Sequence, residues 1–122
     1  MKQLEDFLKS GIRVTEITPA KFQISVPMYK VDGGGAYEIY LVSSKGEFYL
    51  SDEGSTYAEL DKVFELKEPD VVKNLVAIMK LFGCWKKGDA FTIPCTPQDI
   101  CIKLSHLIQA LSFMLNMKIF YV

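Results

Sequence analysis

Two adjacent carboxylates, Asp52 and Glu53, are the residues best placed for chemistry in this chain. They follow a strand-like run and precede Gly54 and Thr56, where a helix is predicted to begin. A carboxylate in such a place could bind a cation, accept N–H groups of a partner, or act as a general base. Asp52 could instead accept hydrogen bonds from the amides of residues 54–56, with Gly54 supplying a positive φ. We favour that structural role and keep all four residues as candidate binding residues.

Three other patterns that could indicate catalysis or metal binding lack the structural context that such chemistry requires. Glu65-Leu66-Lys67 has the acidic-x-Lys spacing of a metal nuclease, but it lies at a predicted helix end instead of on a strand. The sole histidine, His106, has no Ser or Cys at an identifying spacing, and the chain has no Gly-x-Ser-x-Gly elbow. Cys101 and His106 lie about 140° apart around a helix and are poorly placed to share an ion. We predict no catalytic residue, no metal and no cofactor.

Composition places the chain among ordinary globular proteins. Its 122 residues are 49% hydrophobic and 24% charged, which fits a single domain over residues 1–122. A net charge of -1 makes nucleic acid an unlikely partner class. The N-terminus has no signal-like apolar region, and the apolar stretch over residues 104–115 is too short to span a bilayer. We therefore expect a cytoplasmic protein, away from membranes, with three reduced cysteines.

The first half of the chain predicts strands. Residues 12–17 form a weak strand, and residues 21–26 alternate strictly between polar and apolar. Residues 36–43 and 47–51 then form a hairpin about Lys45-Gly46. Its register pairs Leu41 with Leu50 on a core face. The opposite face is mixed in character and could hold a packed helix or a binding surface, and it carries two further candidate binding residues, Tyr40 and Tyr49.

The second half predicts helices. After a short helix over residues 3–9, helices are expected over residues 57–66, 69–82 and 96–116. Thr56 and Glu59 fit a capping box for the first of these three. A small hairpin precedes the last helix, with Trp85 as its core anchor. The fold class is α+β, an antiparallel sheet of about four strands packed with three to four helices, with that small second β-hairpin before the C-terminal helix.

Two apolar residues interrupt the polar side of the last helix. Ile102 and Phe113 are eleven residues apart and fall close together around the helix axis. They could pack under another element of the chain or form a subunit or partner contact, and we keep them as candidate interface residues. Charge is also uneven, at -5 over residues 52–70 and +4 over residues 71–122. Solvated faces explain most such runs, and the alternatives are a self-complementary homodimer or a polar surface for a partner.

The segment Glu47–Thr56 resembles a known family. A strand ending in Leu-Ser-Asp-acidic-Gly, followed by a Thr that opens a helix, is similar to the bacterial and phage family called domain of unknown function 1828. The strand at residues 37–42, the Phe82-Gly83-Cys84 step and the helix around residues 107–111 agree with it, although Cys84 stands where the family pattern has Val. The resemblance covers about residues 12–116. It implies a fold and an origin in phages, prophages or other mobile elements, without an assigned activity.

These observations favour a non-catalytic module that binds a protein partner, for example an inhibitor of a host or defence protein. The alternative is a small metal-dependent or acid-base enzyme centred on Asp52 and Glu53. A third reading is a weak nucleic-acid binder that uses the basic tip of Trp85, Lys86 and Lys87.

Overall fold

A computed structural model describes residues 13–29 and 36–117. The helix predicted over residues 3–9 lies outside the described residues. Six strands form one antiparallel sheet in the spatial order β1-β2-β3-β4-β6-β5. In chain order the strands are β1 (Arg13–Thr18), β2 (Lys21–Tyr29), β3 (Ala36–Ser44), β4 (Glu47–Ser51), β5 (Trp85–Lys87) and β6 (Ala90–Cys95). The described helices are α1 (Ser55–Asp61), α2 (Pro69–Phe82) and α3 (Ile100–Leu115).

The β3–β4 hairpin confirms the predicted turn and register. Lys45 and Gly46 have φ values of 53° and 79°, as a two-residue turn with two left-handed positions requires. Leu41 lies opposite Leu50, and Val42 lies opposite Tyr49. Because side chains alternate between the faces of a sheet, this register assigns Tyr40 and Tyr49 to the face away from the core.

The second hairpin belongs to the main sheet, so the prediction of a four-stranded sheet with a separate hairpin was incomplete. Strand β6 pairs with β4 and places Ile93 opposite Leu50. Strand β5 then becomes the sheet edge. The α+β class is confirmed, with six strands and, within the described ranges, three helices.

One face of the sheet is covered by helices. Helix α3 contacts β4, β6 and both other described helices, whereas α2 packs mainly on α3. We call this covered side the core face. Its centre consists of six buried apolar strand residues: Ile24, Ile39, Leu41, Leu50, Phe91 and Ile93. The other face, which we call the open face, has none of the described helices packed on it.

The helix ends agree with the sequence signals at α2 and differ from them at α1 and α3. Helix α2 begins at Pro69 and ends before Gly83, whose φ of 70° is the left-handed C-cap expected there. Helix α1 ends at Asp61, five residues earlier than predicted, and the expected capping box is wrong. The Glu59 carboxylate pairs with Lys62. Helix α3 begins at Ile100 because the Asp99 carboxylate accepts the Thr96 N–H at 2.6 Å and holds a separate turn.

The sequence singles out three large apolar side chains, Trp85, Ile102 and Phe113. Trp85 is 66% exposed, so its predicted role as a core anchor is wrong. Phe113 packs its ring 5.5 Å from Phe82 of α2, whereas Ile102 remains 60% exposed. Phe113 nevertheless remains 49% exposed, so both residues of the pair present apolar surface and only Phe113 also contacts α2. None of the described helices combines the length and apolar character that a membrane crossing requires.

Candidate functional site

The Asp52 carboxylate lies fully buried immediately after β4. Its Oδ1 accepts the N–H of Gly54 at 3.0 Å and that of Phe91 at 2.8 Å. Its Oδ2 accepts the N–H of Thr56 at 3.1 Å. The bonds within residues 52–56 were predicted, whereas the bond from Phe91, 39 residues away, was not. Asp52 therefore joins the end of β4, the start of α1 and strand β6.

The backbone at this turn explains why a glycine is needed. Glu53 and Gly54 have φ values of 55° and 90°, both in the left-handed region. A Cβ on Gly54 would meet Asp89 at 3.7 Å, an ordinary van der Waals distance. Backbone conformation, more than space, therefore favours glycine at this position. The Ser51 hydroxyl accepts the Glu53 N–H at 3.0 Å and holds the first part of the turn.

The two adjacent carboxylates have separate partners. While Asp52 is enclosed by amides, Glu53 forms a 2.6 Å ion pair with Lys21 at the start of β2. The hydrogen bond to Glu53 raises the pKa of the Lys21 ammonium. Asp52 is 0% exposed and its carboxylate oxygens accept three amide hydrogen bonds, so the carboxylate lacks the access to substrate that a general base needs.

Aromatic rings and ammonium groups meet on the open face. The Lys21 Nζ lies 4.7 Å from the centroid of the Tyr40 ring, and the Lys87 Nζ lies 4.7 Å from that of Tyr49. We call these four residues and Glu53 the open-face cluster. Distances of this size fit cation–π contacts. Three predicted binding residues, Tyr40, Tyr49 and Glu53, are thus brought to one surface, while Asp52, Gly54 and Thr56 form the turn beside it.

The Tyr40 hydroxyl belongs to the same surface. It donates a hydrogen bond to the Glu38 carboxylate at 3.2 Å. Burial, followed by the negative charge of Glu38, raises the pKa of Tyr40, so this hydroxyl stays protonated at neutral pH. Lys21 and Lys87 were missed as members of this surface. The strand alternation could have indicated Lys21, but Lys87 depends on the pairing of β6 with β4.

Metal-binding chemistry has little support in the described ranges, which contain no group of three or more His, Cys, Asp or Glu side chains arranged around a common point. The three cysteines are free thiols; Cys84 and Cys95 are buried, whereas Cys101 is only partly buried. Burial, followed by the charge of Asp52, raises the pKa of the Cys84 thiol to about 12. Burial likewise raises that of Cys95 to about 11. Both side chains are neutral thiols at physiological pH.

Replacing Asp52 by alanine should strongly destabilise the fold. Three amides lose their acceptor, and each buried unsatisfied group costs about 1–3 kcal/mol, so we expect a loss of at least 3 kcal/mol in the free energy of unfolding. Urea denaturation followed by circular dichroism measures it. The matched control is Glu53→Ala, which removes an exposed ion pair and should change the midpoint little. Equal effects of the two substitutions would contradict the structural role of Asp52.

Thr56→Val should leave stability unchanged or raise it by up to about 1 kcal/mol. The Thr56 Oγ1 is buried and makes no hydrogen bond to the described residues. Valine keeps the side-chain shape and removes the unpaired hydroxyl, which favours the folded state. The thermal midpoint measures the effect. A clear loss of stability would mean that the hydroxyl has a partner in solution.

Cys84 and Cys95 should resist Ellman's reagent in the native protein at about pH 8, because the thiolate is the reactive form. Both should react once the chain is unfolded in urea. Since the folded-state pKa of Cys84, about 12, exceeds its ordinary value of 9.0, the unfolded chain loses this proton first as the pH rises. The folded state should accordingly lose stability above about pH 9. Rapid native labelling of either cysteine would contradict the burial described here.

Comparison with known proteins identifies the family of the chain. No curated protein and no solved structure matches it. A family model, described as Domain of unknown function DUF1828, matches residues 26–114. The match starts within β2, ends within α3 and includes the Asp52 turn, and it confirms the resemblance seen in the sequence around residues 47–56. The chain therefore belongs to the domain of unknown function DUF1828 family.

Proposed function

We propose that this protein is a non-catalytic module that binds a protein partner through the open face of its sheet. The observation that carries the proposal is the open-face cluster, in which Tyr40 and Tyr49 present half-buried rings beside ammonium groups. The core face is already filled by helices, so the described structure offers the open face for contact. Tyrosine supplies much contact area at low entropic cost and is enriched in protein interfaces.

The charges on this face favour a protein over a nucleic acid. Lys21 is paired with Glu53 at 2.6 Å, and Glu38 lies beside the Tyr40 hydroxyl. A surface that binds single strands needs excess positive charge along the phosphate path. Here both signs alternate over a short distance, which suits the polar and charged groups of a protein partner.

The same geometry weighs against the enzyme alternative. An acid-base site would need at least one of the two adjacent carboxylates to face a substrate. Asp52 is enclosed by the amides of residues 54, 56 and 91, and Glu53 is engaged by Lys21. Around Glu53, the open-face cluster presents the half-buried rings of Tyr40 and Tyr49, which offer contact area to a partner.

The biological setting is part of this proposal. We infer that the module acts in the cytoplasm, in a phage, a prophage or another mobile element, and that it inhibits a host or defence protein. The support for this setting is the bacterial and phage family that the sequence resembles around residues 47–56. A homodimer formed through Ile102, which is 60% exposed, would be compatible with a free open face.

Affinity capture from nuclease-treated bacterial lysate tests the proposal, with wild type and Tyr49→Ala in parallel. We expect a stoichiometric protein partner with wild type and at least tenfold lower recovery with Tyr49→Ala. That loss corresponds to about 1.4 kcal/mol and is typical of an interface aromatic residue. The matched control is Val63→Ser, which changes an exposed apolar residue that follows α1.

Circular dichroism must show that all variants are folded before recoveries are compared. Equal recovery with wild type and Tyr49→Ala would overturn the assignment to the open face. Loss with Ile102→Ser alone would move the contact to α3. Absence of any partner from lysates of suitable hosts would count against a protein-binding module.

A further inference from the structure

A groove of about 410 Å³ runs between the C-terminal half of α2 and the edge strand β5. Val76, Met79 and Lys80 line it from α2, and Trp85 and Lys86 line it from β5. The groove lies at the sheet edge, outside the open-face cluster. Its lining is therefore a second surface that the proposed function does not yet use.

The floor of the groove is apolar. Val76 and Met79 contribute aliphatic and thioether groups, and Cys84 contributes a buried thiol. A thiol whose pKa is raised to about 12 carries no charge at physiological pH. Trp85 stands at the rim with 66% of its surface exposed, which is unusual for the largest apolar side chain. Such a floor suits an aliphatic side chain of a ligand.

The rim of the groove is positively charged. Lys80 and Lys86 line it, and none of its lining residues is acidic. The Lys86 Nζ is held in place, at 2.7 Å from the Gly88 carbonyl oxygen and 4.8 Å from the centroid of the Tyr57 ring. In a chain of net charge -1, two ammonium groups without a lining carboxylate favour an anionic ligand.

The strand beside the groove suits an extended ligand. Strand β5 is the last in the order of the sheet, so one of its sides has no neighbouring strand in the described part of the chain. Edge strands rich in lysine discourage pairing with other copies of themselves. The same lysines would attract an extended segment of opposite charge, which can add to a sheet edge and place alternate side chains into a groove.

We propose that this groove binds an extended, acidic segment of a partner protein that carries one large aliphatic side chain between its carboxylates. The aliphatic side chain occupies the floor beside Met79, and the carboxylates pair with Lys80 and Lys86. The proposal rests on the proposed function, since it names the chemistry of the partner. The described groove lining contains one aromatic ring, that of Trp85, whereas a single-stranded nucleic acid needs aromatic faces for successive bases, so the aliphatic floor favours such a peptide.

Trp85 is the sole tryptophan, and it borders the groove on the same side of β5 as Lys87. Its fluorescence can therefore report binding at either surface, and the protein variants distinguish the two. The probe is a nine-residue synthetic peptide with a central leucine flanked on both sides by aspartate and glutamate, titrated into the 122-residue chain. We expect a saturable change in tryptophan fluorescence. Peptides with glycine in place of the leucine, or with lysines in place of the acidic residues, should bind at least tenfold more weakly.

Two protein variants separate the groove from the open face. Lys80→Glu should weaken binding of the acidic peptide at least tenfold, whereas Tyr49→Ala should leave it unchanged. Val76→Asp provides a second groove variant for the case that Lys80→Glu does not fold. No fluorescence response of the wild type, or an equal response to the lysine peptide, would overturn the groove proposal.

Titrations with other ligands identify what binds in the groove. Comparison with lysate capture distinguishes failure of the groove proposal from failure of the proposed function. A tighter response to a short oligothymidylate than to the acidic peptide would overturn the peptide assignment in favour of a nucleic acid. A response confined to a synthetic copy of residues 1–12 would assign the groove to this chain itself. If lysate capture is lost with Tyr49→Ala while the acidic peptide gives no signal, only the groove proposal fails. If the peptide binds but no partner is captured, the proposed function fails and the groove remains a peptide site.

Discussion

The buried carboxylate of Asp52 organises the middle of this structure. Among the described residues, Asp52 pairs with no cationic side chain, and three amides, from residues 54, 56 and 91, accommodate its carboxylate oxygens. Such an arrangement persists only when all three donors stay in place, because a buried polar group without partners is costly. The strand β4, the helix α1 and the strand β6 are thereby held together at one point, and the β5–β6 hairpin is joined to the sheet beside it.

The turn at residues 52–54 also determines which carboxylate is exposed on the surface. Since Asp52 is directed into the protein, the left-handed backbone at Glu53 brings the next carboxylate out to Lys21. The strict alternation of strand residues then separates an apolar core face from the open face that carries Tyr40 and Tyr49. The packed helices and the open-face cluster are thus two consequences of one register, and a one-residue slip would exchange them.

Local signals in the sequence predicted the elements that are determined locally. The hairpin about Lys45-Gly46, the bounds of α2 and the amides of residues 54 and 56 around Asp52 all depend on residues close in the chain, and all are present. The pairing of β6 with β4 and the amide of Phe91 depend on residues about 40 positions apart. No local pattern encodes such a pairing. The number of strands, the surface position of Trp85 and the place of Lys87 over Tyr49 could therefore not be read from the chain.

Strand β5 connects the two proposed contact surfaces. Its alternation directs Lys87 to the open face, over Tyr49, whereas Lys86 lies over Tyr57 of α1 and lines the groove. A partner that covers the open face would end at this edge strand, close enough for a flexible acidic segment of the same partner to enter the groove. Binding of the first surface would then raise the effective concentration of that segment, so a weak peptide contact could add substantially to affinity. A short, lysine-rich edge strand, which avoids pairing with its own copies, is well suited to selecting such a partner by charge.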